Sequence, residues 1–376
     1  MPASAGSPRH GRHDMTKGRL AVLAAALIAV AVPAAASASG TEALSQAAVF
    51  TLTNSATGNG VAAFARSNDG TLTYAGTVAS GGNGTGANLG SQGAIALEPD
   101  GHTLFAVNAG SDSISEFAVT NTSVQLVATF SSNGDLPISL TVQGNLLYVL
   151  NAGGSGSITG FVVDGANVTP LAGSTQPLLG SNPAQIAFSP HGSQLVVTEK
   201  GTQTLDTYAV DSQGRAGTPV SSASAGATPF GFAFDQRGRA FVSEAAGSAS
   251  SYAVDDSGAH LISGAVATNQ SAPCWLVVTR NGRYAYTANA GSSTISGFAI
   301  AADGSLALLD PSGATATLAS GSHPLDEAVS GNGRFFYVLA DGRHTIAGYR
   351  IADDGSLSAL GQVGTLPAGA VGLASS

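Results

Sequence analysis

One cysteine, Cys274, is all that the 376 residues contain, so no disulfide can form within the chain and no cysteine pair is on hand to ligate zinc. Charge is scarce as well. Asp, Glu, Lys and Arg make up 10% of the sequence, against a usual share of about 25%, and 14 basic residues face 23 acidic ones. That balance excludes a nucleic-acid binder, which needs a basic face to meet phosphate. G-x-S-x-G and H-E-x-x-H motifs are both missing, so no reaction, metal or cofactor is announced. No apolar run reaches the roughly 20 residues of a membrane span.

The longest such run, Leu20 to Val32, follows Lys17 and Arg19 and leads into PAAASAS, where Ala36 and Ala38 stand in A-x-A spacing. This is the pattern of an export signal. Residues 1–38 are expected to be a leader cleaved after Ala38, whether translation starts at Met1 or Met15. Residues 39–46 read as a short linker and 47–376 as one folded domain. Beyond residue 38 remain 10 basic and 22 acidic residues. The expected product is secreted, monomeric and free of any membrane span.

What is abundant is glycine, 50 residues, and a repeat. An aliphatic strand ending in Asn or Glu, a small-residue turn, then a strand ending in an aromatic recurs seven times, as in LFAVNAGSDSISEFAV from Leu104 and YAYTANAGSSTISGFAI from Tyr284. The first strand of each copy closes at Asn54, Asn108, Asn151, Glu199, Glu244, Asn289 and Ala340, 43 to 54 residues apart. Most copies are preceded by a Pro-led apolar run and a polar-Gly hairpin, such as NPAQIAFSPHG, and followed by a weaker strand, such as SLSALGQV. Each unit therefore has four strands, a to d, and cannot bury its apolar face alone. The period predicts an all-β, seven-bladed β-propeller of four-stranded antiparallel blades. The first copy lacks strand a, and an orphan one stands at the end as LPAGAVGLASS. Pairing the two termini would close the ring and remove its open edges.

Chain direction sorts the loops onto two rims. The a-to-b and c-to-d hairpins share one, with Asp100, His191, Arg237, Arg239, Arg280, Arg283, Arg334 and turns such as DDSG; these are β-turn residues, too poor in ligands for calcium loops. The other rim collects Asp112, Asp135, Glu199, Lys200, Glu244, His323, Asp326, Glu327, Asp341, Arg343 and His344, and predicts an acidic mouth. There Asn108, Asn151 and Asn289, with Asn54, are expected to bond the small-residue turn that follows each of them. Glu199 and Glu244 replace Asn in consecutive blades and are the candidate catalytic carboxylates, long enough to reach the axial channel as an acid and a base or to hold a cation together. His323 beside Asp326 and Glu327 is a candidate base or ligand. Lys200, His323, Asp326, Glu327, Asn108, Asn151, Asn289 and Arg343 make up the candidate ligand-binding rim. Cys274, in PCWLVV, reads as a small buried hydrophobe. ASGGNGTGANLGSQG from Ala79 reads as a flexible rim loop, because no helix follows to cradle phosphate.

Units such as SPHGSQLVVTEKGTQTLDTY and TRNGRYAYTANAGSSTISGF resemble the seven-bladed lactonase family, which includes propeller 6-phosphogluconolactonases and carboxymuconate cyclases, and look like YVTN-type repeats. The resemblance covers about residues 47–376. It implies an Arg-His pair after the Pro that opens strand a, for anion recognition and proton transfer. The matching positions hold Ile138 and Ser139, Ala184 and Gln185, Phe230 and Gly231, Cys274 and Trp275, and Leu325 and Asp326. Glu199 is the best counterpart of the family's acid at the end of strand b. The expectation is thus an exported ligand-binding or surface-interaction protein without that pair, its partner a small neutral or cationic ligand, a sugar or a surface component. The alternatives are a hydrolase opening an uncharged lactone with a rim glutamate positioning water, and a purely structural surface protein.

Overall fold

The computed structural model describes residues 47–121, 123–364 and 366–376; the expected leader and the whole of the expected linker lie outside them. Seven antiparallel sheets follow one another along the chain. Blade 2 is built from Ile95–Leu97, Thr103–Asn108, Ser113–Val119 and Val124–Ser131, and blade 4 from Pro183–Phe188, Gln194–Glu199, Thr204–Ala209 and Val220–Ala223. Blades 3, 5, 6 and 7 open their strands a with Pro137, Pro229, Pro273 and Pro324. In blades 3 and 6 strand d is broken in two, at Asn167–Pro170 with Gln176–Pro177 and at Leu306–Leu308 with Ala316–Thr317.

Blade 1 takes its strands b, c and d from Ala48–Leu52, Gly60–Arg66 and Leu72–Ala79, and its strand a from Val371–Ser375. The register sets Val49 against Ser375, Phe50 against Ala374 and Thr51 against Leu373. Ser376 Oγ also accepts from the Ala48 amide at 2.8 Å. Closure through the termini is therefore the observed arrangement.

Between blades the packing is apolar. Val196, Phe232 and Val242 join blades 4 and 5, Phe241, Leu276 and Phe298 join blades 5 and 6, and Val49, Phe64, Phe335 and Tyr337 join blades 7 and 1. A tyrosine on strand b locks the 3–4, 6–7 and 7–1 seams by donating to a glycine carbonyl in the next blade's c-to-d turn: Tyr148 to Gly214, Tyr286 to Gly355 and Tyr337 to Gly70, each at 2.8 Å. Burial pushes the Tyr148 hydroxyl up to about 12, so these donors keep their protons at any working pH. Cys274 is buried and unpaired, as a small hydrophobe would be. Among the described residues no helix is long and apolar enough to cross a membrane.

Removing Val371–Ser376 would strip blade 1 of its innermost strand. Burial of the Val371 and Leu373 side chains alone contributes about 3–6 kcal/mol, and the exposed edge of Ala48–Leu52 adds unpaired amides. The truncated chain should unfold at a much lower denaturant midpoint than the parent; an equal midpoint would show that the ring does not depend on this pairing.

Candidate functional site

Strand a lines the axis, and the first residues after its Pro are spent on neighbouring blades. Ser139 Oγ accepts from the Ile186 amide at 3.2 Å, joining blade 3 to blade 4. Gln185 brackets Phe232, donating to its carbonyl at 2.9 Å and accepting from its amide at 2.7 Å, and so joins blade 4 to blade 5. Asp326 Oδ2 accepts from the Gly372 amide at 2.8 Å, joining blade 7 to blade 1. These positions form a belt.

Blade 5 has no side chain to continue that belt, since Gly231 stands where the others carry Ser139, Gln185 and Asp326. The gap is filled from across the ring. Gln92, in the connection entering blade 2, brackets Leu276 of blade 6 with bonds of 2.8 and 2.9 Å, and its own amide donates to the Ala184 carbonyl of blade 4 at 3.1 Å. A Cβ at Gly231 would overlap Gln92 Oε1. Ser91 Oγ donates to Ile138 O at 2.8 Å, and Trp275 Nε1 donates to Ser91 O at 2.9 Å. Lys200 Nζ donates to Gly90 O and lies 4.7 Å from the centre of the Phe230 ring, itself 4.9 Å from Trp275. Residues 90–92 therefore tie blades 3, 4 and 6 together across the axis. The glycine-rich stretch expected to be a flexible rim loop ends in a plug.

The expected rim carboxylates are not on the rim. Glu199 and Glu244 are fully buried, and Asp326 and Glu327 nearly so. Each turns under the connection that enters its blade or into a seam between blades, because the d-to-a loop covers the end of strand b. Glu244 accepts from Ser248 Oγ at 2.6 Å and from the Gly226 amide at 3.3 Å. Burial pushes the Glu199 carboxyl up to about 7, with Asp206 beside it adding to the rise. Burial likewise raises Asp326 to about 7 and Glu327 well above the carboxylate range. Neither oxygen of Glu327 has a hydrogen-bond partner; it takes the register position that Leu140, Ile186, Phe232 and Leu276 fill in four other blades.

What remains exposed at the mouth is Asp112, Asp135, His323, Arg343 and His344, with Asp341 and Lys200 half-buried. The acidic mouth is thus corrected: its four strongest contributors are withdrawn from solvent. His323 is not brought to Asp326 and Glu327. Its side chain is exposed, its backbone is left-handed at φ 46° and its carbonyl accepts from the Asp341 amide at 3.3 Å, while the two acids lie buried beyond Pro324. Arg343 donates to Ser320 O at 2.6 Å. Desolvation lowers the Lys200 ammonium to about 8.

The Asn ring is structural, though not through the turns that follow it. Asn108 donates to Ser115 Oγ at 2.7 Å and accepts from Ser80 Oγ at 2.6 Å, Asn151 donates to Ser132 O at 3.4 Å, and Asn289 donates to Ser296 Oγ at 2.9 Å. Asn54 donates to Ala87 O at 2.6 Å. For Asn108, Asn151 and Asn289 the partners are strand c hydroxyls and the connection arriving from the previous blade, whereas Asn54 bonds the connection leaving for blade 2. Among the described residues no group of three or more His, Cys, Asp and Glu side chains forms a metal centre.

The family model described as "Lactonase, 7-bladed beta-propeller" matches residues 55–169 and 218–370. Among solved structures, a Lactobacillus plantarum protein aligns with a TM-score of 0.72 at 19% identity, covering 88% of this chain and 99% of its own. A Bacteroides uniformis protein described as a candidate 6-phosphogluconolactonase aligns at 0.71 and 16%, covering 88% and 99%. The periplasmic gluconolactonase of Pseudomonas aeruginosa aligns at 0.66 and 18%, covering 87% and 97%. At these identities the structures share the fold alone. No curated protein matches.

Two outcomes follow from the plug and the buried acids. Gly231→Ala should cost about 1–3 kcal/mol by overpacking in the parent and less in a Gln92→Ala background, where the 2.9 Å approaches to Cys274 O and Trp275 Cα remain; a double-mutant cycle with no coupling would remove Gln92 from that gap. Asp326 holds its proton in the folded state to about pH 7, whereas in the unfolded chain it loses it near pH 4. Folded protein binds the extra proton, so stability is full below pH 4 and falls by roughly 1.4 kcal/mol per pH unit up to about pH 7. Asp326→Asn should flatten that slope in urea titrations across this range, and an unchanged slope would show that Asp326 is ionised.

Proposed function

The chain belongs to the seven-bladed β-propeller lactonase family, and from that premise we propose that it is an exported member without lactonase chemistry, a ligand-binding or surface-interaction protein. The axial plug carries this reading. Among the positions where the family resemblance implies an Arg-His pair, Ser139, Gln185, Trp275 and Asp326 are committed to bonds with other blades or with the plug, and residues 90–92 bridge blades 3, 4 and 6 across the axis. The candidate carboxylates Glu199 and Glu244 have no exposed surface from which to position water.

Export rests on the leader, and the periplasmic location of the Pseudomonas aeruginosa relative fits the same route. With four of the mouth's seven acids withdrawn, the preference for a cationic ligand loses most of its electrostatic basis. A neutral partner such as a sugar, or a component of the cell exterior, engages the loops around the plug instead.

Purified protein should hydrolyse neither 6-phosphogluconolactone nor neutral sugar lactones above the uncatalysed rate. Turnover that disappears in Glu199→Gln would overturn the reading in favour of a hydrolase. In an exporting host, N-terminal sequencing of the extracellular protein should begin at Ser39; retention of an intact leader inside the cell would remove export.

A further inference from the structure

Blade 4 passes from strand c to strand d by a longer route than any other blade. Elsewhere strand d follows strand c after at most five residues, whereas residues 210–219 stand between Ala209 and Val220. Val210 bridges Ala216 and the Gly217 amide donates to Ala209 O at 2.8 Å, but Pro219 has no N–H with which to continue the ladder. The detour borders a cleft of about 530 Å³ on the hairpin rim, between this turn, Gly173 in the broken strand d of blade 3, and Asp256 in the c-to-d turn of blade 5. That size falls within the range of small-molecule sites, about 300–1,000 Å³.

Both walls of the cleft are fastened. The Ala216 amide donates to Tyr148 Oη at 2.8 Å and its carbonyl accepts from Gln176 Nε2 at 2.9 Å, which holds the blade 4 turn against blade 3. On the other side Gln194, almost wholly buried, donates from Nε2 to Asp256 Oδ1. Its Oε1 has no hydrogen-bond partner. An unsatisfied buried acceptor costs about 1–3 kcal/mol, and here it accompanies the bond that fixes Asp256. The cleft is held in shape before any ligand arrives, which lowers the cost of binding one.

The lining selects the ligand. Arg215 meets Asp211 with Nε at 2.9 Å and Nη2 at 2.8 Å, so these charges cancel and Nη1 is left to donate. Asp256 keeps Oδ2 as an acceptor, and Ser193 contributes an exposed hydroxyl that can do both. Ala209, Val210 and Ala216 add small apolar surface, and among the described residues no aromatic ring or long aliphatic chain lines the space. Asp256 repels an anion, the guanidinium repels a cation, and a hydrophobic ligand would find little to cover it. A neutral polyhydroxylated ligand matches these closely set donors and acceptors.

We propose that this cleft is a saccharide site, taking a neutral sugar between Arg215 and Asp256 with its C–H face on Ala209 and Val210. The inference rests on the reading of a ligand-binding protein given above, names its ligand class, and assigns it a site on the rim opposite the plug.

Isothermal titration of the full exported chain with glucose, galactose, N-acetylglucosamine, maltose and cellobiose tests this. At least one sugar should bind at a single site. Asp256→Asn and Arg215→Gln should each weaken binding about tenfold, the loss expected for one hydrogen bond to a charged group. Ala209→Phe fills the cleft from an exposed position and should abolish binding with Tm unchanged, which keeps the test open should Arg215→Gln loosen its turn. No binding by any of the five sugars overturns the site. So does binding that survives Ala209→Phe; if that binding is then lost in Lys200→Met, the sugar sits at the mouth, and the reading of a ligand-binding protein stands without this cleft. Lactone turnover would overturn that reading and not the cleft, which sugar binding lost in Ala209→Phe would still support.

Discussion

A four-stranded blade has two apolar faces and no way to cover them within itself, and every other feature of this protein answers that constraint. Neighbouring blades supply the cover, so the first and last blades would be left open unless the ring closes. Pairing Val371–Ser375 with Ala48–Leu52 closes it with no disulfide, which a chain with one cysteine could not make. The tyrosine locks and the polar units at the ends of strands b serve the same need, since a tyrosine bonds one blade to a turn of the next and a polar unit such as that of Asn108 or Glu244 bonds a blade to the connection arriving from the one before. Stability is cooperative around the circle because no seam can open without exposing both of its faces.

The repeat was legible because its signal is written seven times: the alternation, the small-residue turns and the orphan strand a at the end all follow from strand chemistry. Side-chain direction at the ends of strands b was not. Whether Glu199 points to the axis or under a loop depends on where the d-to-a connection lies, and that connection has no periodic pattern. The same holds for Asp326 and Glu327, whose burial follows from standing inside a strand after Pro324 and not from their own polarity. The acidic mouth was an inference from loop order alone, and it failed where covering loops removed the charges from water.

One signal of the plug was present in the sequence. Of the five strands a that open on Pro, four carry Ser139, Gln185, Trp275 and Asp326 two residues after it, and only blade 5 has glycine there. A glycine at a position otherwise filled points to a close approach by another group, and GSQG, the only glutamine in the glycine-rich stretch, was the segment that made it. Ala79 to Gly93 looked like a loop because glycine and asparagine dominate it. Its last residues are fixed not by local propensity but by bonds to partners as far as 184 residues away in sequence.

The belt and the plug fill the axial end of the ring with bonds between blades, so the axis itself contributes to stability. Axial side chains need not be catalytic or wasted: turned sideways, they become fasteners between blades, and each such bond adds to the closure the ring already requires. A polar group facing an open channel is solvated and contributes little, whereas the same group bonded to the next blade's backbone is buried and specific. Ser139, Gln185 and Gln92 are groups of the second kind. With Gln92 filling the space beside Gly231, an open pocket at the mouth would require breaking the bonds that residues 90–92 make to three other blades, whereas residues of the exposed loops can change without cost to the ring.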